Sequence, residues 1–247
     1  MNRKIFISGH RGTRIHAIEN TQKAFQFCLE NKIDYIEFDV KKTRDDEIIV
    51  FHDRTIDRLL DGRGNIEKKT LKEVQNHHYQ DGQSIQTLDE FFHQVQKRVR
   101  PMLEIKSRGI STQVIDLVHK YQYKTNEILI QSFNPQDIVE CYRIDPEYDY
   151  GLCFGPLGKY LIAQKLIARL FYKKKMKPYP FKWLNLDGPF IYDEIIDEVR
   201  KFGKHIILGA MKTDQYLSRL DRWGVDIVNA DDPVLIRSKI RDLGYDC

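Results

Sequence analysis

The sequence predicts a parallel (β/α)8 barrel, the TIM-barrel fold, with a small insertion after its second strand. Three observations carry that expectation. Short apolar, β-branched runs alternate along the chain with stretches of helical periodicity. Eight such runs can be counted, and 247 residues is an ordinary length for this barrel. The eight begin at residues 5, 35, 101, 128, 150, 183, 206 and 226. A further run, Ile48-Ile49-Val50-Phe51, is left over as a hairpin partner or part of an insertion. The reading is one domain over 1–247, with an excursion at about 54–86.

The first run, Ile5 to Ile7, passes through Ser8-Gly9 into His10-Arg11-Gly12, so a buried strand delivers two cationic side chains to its C-terminal end. Apolar residues Ala24, Phe25, Cys28 and Leu29 then share one helical face, and the helix ends near Asn31. Tyr35-Ile36-Glu37-Phe38-Asp39-Val40 is aromatic and β-branched, and its two carboxylates, two residues apart, point to the same side. The 48–51 run ends in His52-Asp53. From Arg54 to about Ser84 the composition turns to glycine and charge, with one helix-like piece over Thr70–Val74. Helical patterning resumes over Leu88–Val99, and Pro101 to Lys106 is a strand tipped by Glu104 and Lys106 on one face.

The second half keeps the rhythm. Strands at 128–131, 150–154, 183–186, 206–208 and 226–228 are followed by helices expected to 143, over 158–172, 193–202 and 214–223, and after Pro233.

Composition narrows the function. Hydrophobic residues at 41% and charged residues at 31% describe a globular chain with material for a core. The N-terminus carries no apolar leader and no stretch has the length of a membrane span, so a cytoplasmic protein is expected. Cys28, Cys141, Cys153 and Cys247 show no zinc or disulfide spacing and read as reduced thiols. The net charge of +4 is uneven: residues 150–186 hold eight Lys and Arg and no acid, leaving the remainder at −4. That argues against a nucleic-acid binder and for a local anionic partner.

Barrel enzymes build their sites at the C-terminal ends of the strands. His10, Arg11, Glu37, Asp39, His52, Glu104 and Lys106 all fall there. Three crowded carboxylates need neutralising. Either a hard divalent cation such as Mg²⁺ or Ca²⁺ sits among them, which the pattern favours, or they pair with Arg11 and Lys106 as an ion network. Two histidines beside such a cation suit acid–base chemistry at phosphorus. The other six histidines, His16, His77, His78, His93, His119 and His205, are expected in solvated or packed roles.

An ordered set of motifs now accumulates: His10-Arg11-Gly12, Glu19-Asn20-Thr21, Glu37-x-Asp39-Val40, His52-Asp53 with Arg58 and Gly62-x-Gly64, Thr87-Leu88-Asp89-Glu90, Leu103-Glu104-Ile105-Lys106, Gln131-Ser132-Phe133, and Gly224-Val225-Asp226 ending in Asp231-x-Pro233. Together these resemble the glycerophosphodiester phosphodiesterase family, from the first strand to the last helix. The resemblance implies a TIM barrel hydrolysing glycerophosphodiesters to glycerol phosphate and an alcohol. It implies His10 and His52 as the acid/base pair, Glu37, Asp39 and Glu104 as metal ligands, Arg11 and Lys106 as phosphate contacts, and Phe133 as a pocket residue.

Departures from the family pattern bear on substrate. Ile18 replaces a proline, Ala230 replaces a threonine, and Gly209-Ala210-Met211-Lys212 stands where a Trp-Thr-Val-Asn is usual, which removes an aromatic wall. The apolar, lysine-rich stretch 157–177 fits either a barrel helix with a solvated edge or a peripheral contact with an anionic membrane. Two alternatives therefore stand beside the phosphodiesterase: a lysophospholipase D type hydrolase working at a membrane surface, and a non-catalytic phosphate- or lipid-binding barrel.

Overall fold

The computed structural model describes residues 3–154, 181–186, 193, 196, 197 and 204–247. The expected helix over 158–172, the membrane-contact stretch 157–177 and most of the helix expected over 193–202 lie outside the described residues. No helix among the described residues is long and apolar enough to cross a membrane.

Nine strands form one sheet: β1 (Phe6–Gly9), β2 (Tyr35–Lys42), β3 (Ile48–Val50), β4 (Arg100–Ile105), β5 (Leu129–Ser132), β6 (Asp149–Phe154), β7 (Trp183–Leu186), β8 (His205–Met211) and β9 (Ile227–Ala230). Eight of them pair in parallel in the order β1-β9-β8-β7-β6-β5-β4-β2, and β1 pairs with β2 to close the barrel. Each of those eight starts within one residue of its expected position. The leftover run is β3, which pairs antiparallel to β2 with Val40 opposite Val50. It is the hairpin partner and not a barrel stave.

Side-chain alternation sorts each strand between two environments. Ile7, Ile36, Phe38, Leu103, Ile130, Leu184, Leu208 and Val228 pack outward in the main core, against helices such as α1 (Gln22–Glu30) and α3 (Leu88–Val95). Tyr35, Met102, Leu129, Ile207 and Ile227, with Phe6 and Trp183, form a separate apolar cluster. These are the strand residues of the opposite face, so they floor the barrel. One pleat step further along, the same face carries Ser8, Glu37, Glu104, Gln131 and Asn229, all buried and polar. The floor is apolar and the mouth is polar.

The excursion after β3 carries a third cluster, Ile49, Phe51, Ile56, Leu60, Ile66, Val74, Tyr79 and Ile85. Its short helix α2 (Leu71–Gln75) starts at Thr70, whose side chain accepts from the Glu73 N–H while Glu73 reaches back in a capping box.

Three helical expectations need correction. α3 ends at Val95 and does not reach Val99, because Gln96 (φ 44°) and Lys97 (φ 59°) turn left-handed. The helix expected over 214–223 is a 3-10 turn, Leu217–Arg219, followed by Leu220–Trp223, and it ends at left-handed Gly224. The β4–β5 connection, to which the sequence rhythm assigned no element, is α4 (Ser111–Lys120), with Val114, Ile115 and Val118 buried. α5 (Pro135–Ile144) matches its expected span, capped by Asn134 with proline at its start. All four cysteines are free thiols.

Candidate active site

The site begins at the turn after β1. A Cβ on Gly9 would sit 1.9 Å from the Gly12 carbonyl oxygen, and Gly12 itself has φ +79°, so both positions require glycine. Arg11 between them is also left-handed, at φ 53°. This tight turn aims the Arg11 backbone N–H at Glu37 Oε2, 2.8 Å away, and brings His10 Nε2 to 3.9 Å from the same carboxylate.

On β2, Glu37 and Asp39 face inward as alternation requires, and the register sets Asp39 opposite Glu104 on β4. Glu37, Asp39 and Glu104 are buried, and one ligand oxygen from each lies within 4.8 Å of the others. Asn20 holds Asp39 from the side, its Nδ2 donating to Oδ2 at 2.9 Å. Arg11 Nε lies 3.2 Å and Lys106 Nζ 3.3 Å from the Asp39 carboxylate, and Lys106 also pairs with Glu104. The carboxylates therefore form a potential cation site and are partners of both basic residues; the two arrangements weighed from the sequence coexist.

Crowding shows in their ionisation. Burial, then the charges of Asp39 and Glu104, push Glu37 well above the usual carboxylate range. Burial raises Glu104 to about 7, with Asp39 adding to the rise and Lys106 opposing it. For Asp39 burial acts upward, but Lys106, Arg11 and His52 outweigh it and hold the group low. Three carboxylates thus share a site whose two lysine and arginine charges satisfy only one of them. A hard dication, which takes oxygen ligands and tolerates several carboxylates, fits this donor set.

Both histidines are oriented by aspartates. His10 Nδ1 is 2.6 Å from Asp231 Oδ1, and His52 Nδ1 is 2.7 Å from Asp53 Oδ1. An aspartate on Nδ1 favours the tautomer that leaves Nε2 free to accept a proton. Burial lowers the pKa of each imidazole, against the pull of its aspartate.

One cavity of about 510 Å³ is lined by His10, Arg11, Glu37, His52, Glu104, Lys106 and Phe133. Of the eight residues singled out from the sequence, these seven meet there. Asp39 lies behind them, 1% exposed, in contact with Arg11 and Lys106. Phe133 is 48% exposed at the rim, and Lys106 Nζ sits 4.9 Å from its ring centroid. The opposite wall is Cys153, Phe154, Asn185 and the segment 209–213 with Gln215 and Tyr216. The departure at Gly209 to Lys212 therefore does border the cavity.

Sequence reasoning missed several groups that hold this site. Asp231, Asp53, Asn20, Glu19, Arg14 and Arg58 all belong to motifs or loops noted in the sequence, yet none was given a role. Some of these partners are near in sequence, Asp53 beside His52 and Arg14 five positions from Glu19, but Asn20 meets Asp39 across 19 positions, Arg58 meets Glu19 across 39 and Asp231 meets His10 across 221, and local spacing encodes none of those three.

The fold and this mouth define a TIM-barrel protein whose candidate site lies at the C-terminal ends of its strands. Residues 10–235 match the model of the glycerophosphoryl diester phosphodiesterase family, and the chain belongs to that family. A glycerophosphodiester phosphodiesterase of Caldanaerobacter subterraneus is 27% identical over 256 residues, covering 98% of this chain and 100% of that one. Among solved structures, a putative glycerophosphoryl diester phosphodiesterase from Silicibacter pomeroyi superposes with a TM-score of 0.84 at 17% identity, over 99% of this chain and 95% of that one. A phosphodiesterase of Oleispira antarctica, solved with the product sn-glycerol-3-phosphate, does so with a TM-score of 0.80 at 22% identity, over 96% of each chain.

Proposed function

We propose that this protein is a metal-dependent phosphodiesterase that hydrolyses glycerophosphodiesters to glycerol 3-phosphate and an alcohol. One observation supports the reading: two aspartate-oriented histidines open onto the same cavity as Arg11, Lys106, Glu37 and Glu104, with Asp39 of the carboxylate triad directly behind. A binding module has no need of two imidazoles, each oriented by its own aspartate.

In this reading Glu37, Asp39 and Glu104 hold Mg²⁺ or Ca²⁺. The bound cation supplies charge stabilisation to the phosphoryl oxygens and helps activate the attacking oxygen. Arg11 and Lys106 bind the phosphate and stabilise charge that grows on it in the transition state. One histidine of the His10/His52 pair, with Nε2 unprotonated, removes the proton of the attacking oxygen, and the other, protonated on Nε2, gives that proton to the departing alkoxide. Phe133 covers the rim of the pocket on the substrate side. The wall from Cys153 round to Tyr216, apolar or neutral apart from Lys212, receives the remainder of the diester.

Phosphorus NMR of a substrate panel tests this, using deacylated glycerophosphodiesters and detergent-dispersed lysophospholipids, with and without chelator. Wild type plus Mg²⁺ or Ca²⁺ is expected to release glycerol 3-phosphate from the deacylated diesters, and chelation or His10→Ala to stop it. Cleavage confined to lysophospholipids would replace the substrate assignment with the lysophospholipase D type. Full activity of His10→Ala would overturn the mechanism.

A further inference from the structure

Glu19 lies at the junction of three arginines around the mouth. It is 5% exposed, and its carboxylate accepts four N–H bonds from three guanidinium groups. Oε1 takes Arg11 at 2.5 Å and Arg58 at 2.6 Å; Oε2 takes Arg14 at 2.9 Å and Arg58 again at 3.2 Å. Two of these arginines lead onward. Arg58 turns its Nε to Asp53 Oδ2 at 2.6 Å, and the other oxygen of Asp53 holds His52. Arg14 places a terminal nitrogen 3.4 Å from Asp231 Oδ2, and the other oxygen of Asp231 holds His10.

We propose that Glu19 is a positioning residue that couples the two histidines, through Arg58 and Asp53 to His52 and through Arg14 and Asp231 to His10. The inference rests on the reading of His10 and His52 as the acid/base pair. Three carboxylates and three guanidinium groups make the network neutral, which offsets the burial of Glu19 at its centre. Glu19 is its only member bonded to all three arginines. Without the Glu19 charge, three guanidinium groups would face each other across an amide. Arg58 and Arg14 would move apart, each aspartate would lose the partner that fixes it, and both imidazoles would lose their set orientation. The two arms differ in strength. The Arg58 arm is short and bidentate at Glu19, whereas the Arg14 arm is 3.4 Å at Asp231, so His52 depends on Glu19 more than His10 does.

The same junction ties the insertion to the barrel. Arg58 belongs to the segment after β3, while Arg11, Arg14 and Glu19 belong to the β1–α1 loop. The insertion thus contributes to catalysis by holding a histidine in register from outside the barrel.

Glu19→Gln, which preserves size, tests the coupling on the full chain. With Mg²⁺ or Ca²⁺ present, kcat on a glycerophosphodiester is expected to fall by about 10- to 100-fold, the usual cost of losing an orienting partner, with KM changed by less than about threefold. In the metal-free protein, nitrogen-edited NMR should show the imidazole signals of both histidines shifting, His52 by more. Arg58→Lys should move the His52 signal alone and Arg14→Lys the His10 signal alone. Arg58→Lys added to Glu19→Gln should lower kcat by less than about threefold further, since the arm is already broken. A Glu19→Gln protein with unchanged kcat and unmoved imidazole signals, whatever its melting temperature, would overturn the proposal. Should that variant not fold, the two lysine variants decide it: each must move its own histidine only. If wild type cleaves no phosphodiester, the functional reading falls while the NMR arms still report on the coupling.

Discussion

From β1 to β4 the barrel mouth is crowded with charge, and every group there is held by several others. Asp39 alone is met by Asn20, Arg11 and Lys106. From β6 to β9 the facing wall is Cys153, Phe154, Asn185, Gly209, Ala210, Met211 and Tyr216, with Lys212 exposed beside them. There Asn185 donates to Gln131 at 3.1 Å, and Tyr216 packs on Trp223. One half holds the charged groups proposed for the chemistry, whose burial their mutual pairing offsets. The other half is the more apolar wall. Substitutions in the first should strike turnover, and substitutions in the second should redirect substrate choice.

The largest effect should come from His10→Ala or His52→Ala, each lowering kcat by about three orders of magnitude in steady-state assays while leaving the circular dichroism spectrum unchanged. Next, Glu37→Gln or Glu104→Gln should abolish calorimetrically detected Mg²⁺ or Ca²⁺ binding, and activity should drop by about 100-fold or more with it. If either variant retained the wild-type affinity for the cation, the triad would be an ion network only.

On the opposite wall, Gly209→Trp restores the bulk usual in the family. It should change the ratio of kcat/KM between small and bulky diesters by about tenfold in favour of the small ones, mainly through KM. A fall in kcat without any change in selectivity would erase the contrast between the halves.

The smallest effect concerns acid stability. Hydrogen bonds from Arg58 and Arg11 outweigh burial and hold Glu19 at about 2, and bonds from Arg58 and His52 do the same for Asp53, also at about 2. Both values lie below those of an unfolded chain, so their stabilisation is complete above about pH 4.5 and is lost as pH falls toward 2. Urea denaturation at pH 7 and pH 3 should show wild type losing more stability than Glu19→Gln, by up to about 2 kcal/mol and less where solvent screens the arginines. Equal losses would place the network's value elsewhere than in its ionised carboxylate.

Much of this was legible in order along the chain. Period-two alternation placed Glu37 with Asp39, and Glu104 with Lys106, on inward faces, and the strand starts followed from β-branched runs. Residues at the ends of strands were visible because glycine and charge interrupt apolar runs there. Gln96 was not, since a polar residue in a left-handed cap looks like one more helical residue. The short β8–β9 helix also failed expectation, because an apolar pattern over 214–223 is met equally by a 3-10 turn and a single helical turn packed on the core.

The sequence by itself determined the barrel, six of the cavity's lining candidates and the acidic triad, because strand alternation and strand ends are local properties; Phe133 came from the family resemblance. Only the tertiary structure decided what orients the histidines. Asp231 meets His10 across 221 positions because β9 lies beside β1 where the barrel closes. Arg58 reaches Glu19 because the insertion packs against the β1–α1 loop. Those contacts arise from closure and docking, and no periodicity in the chain records them.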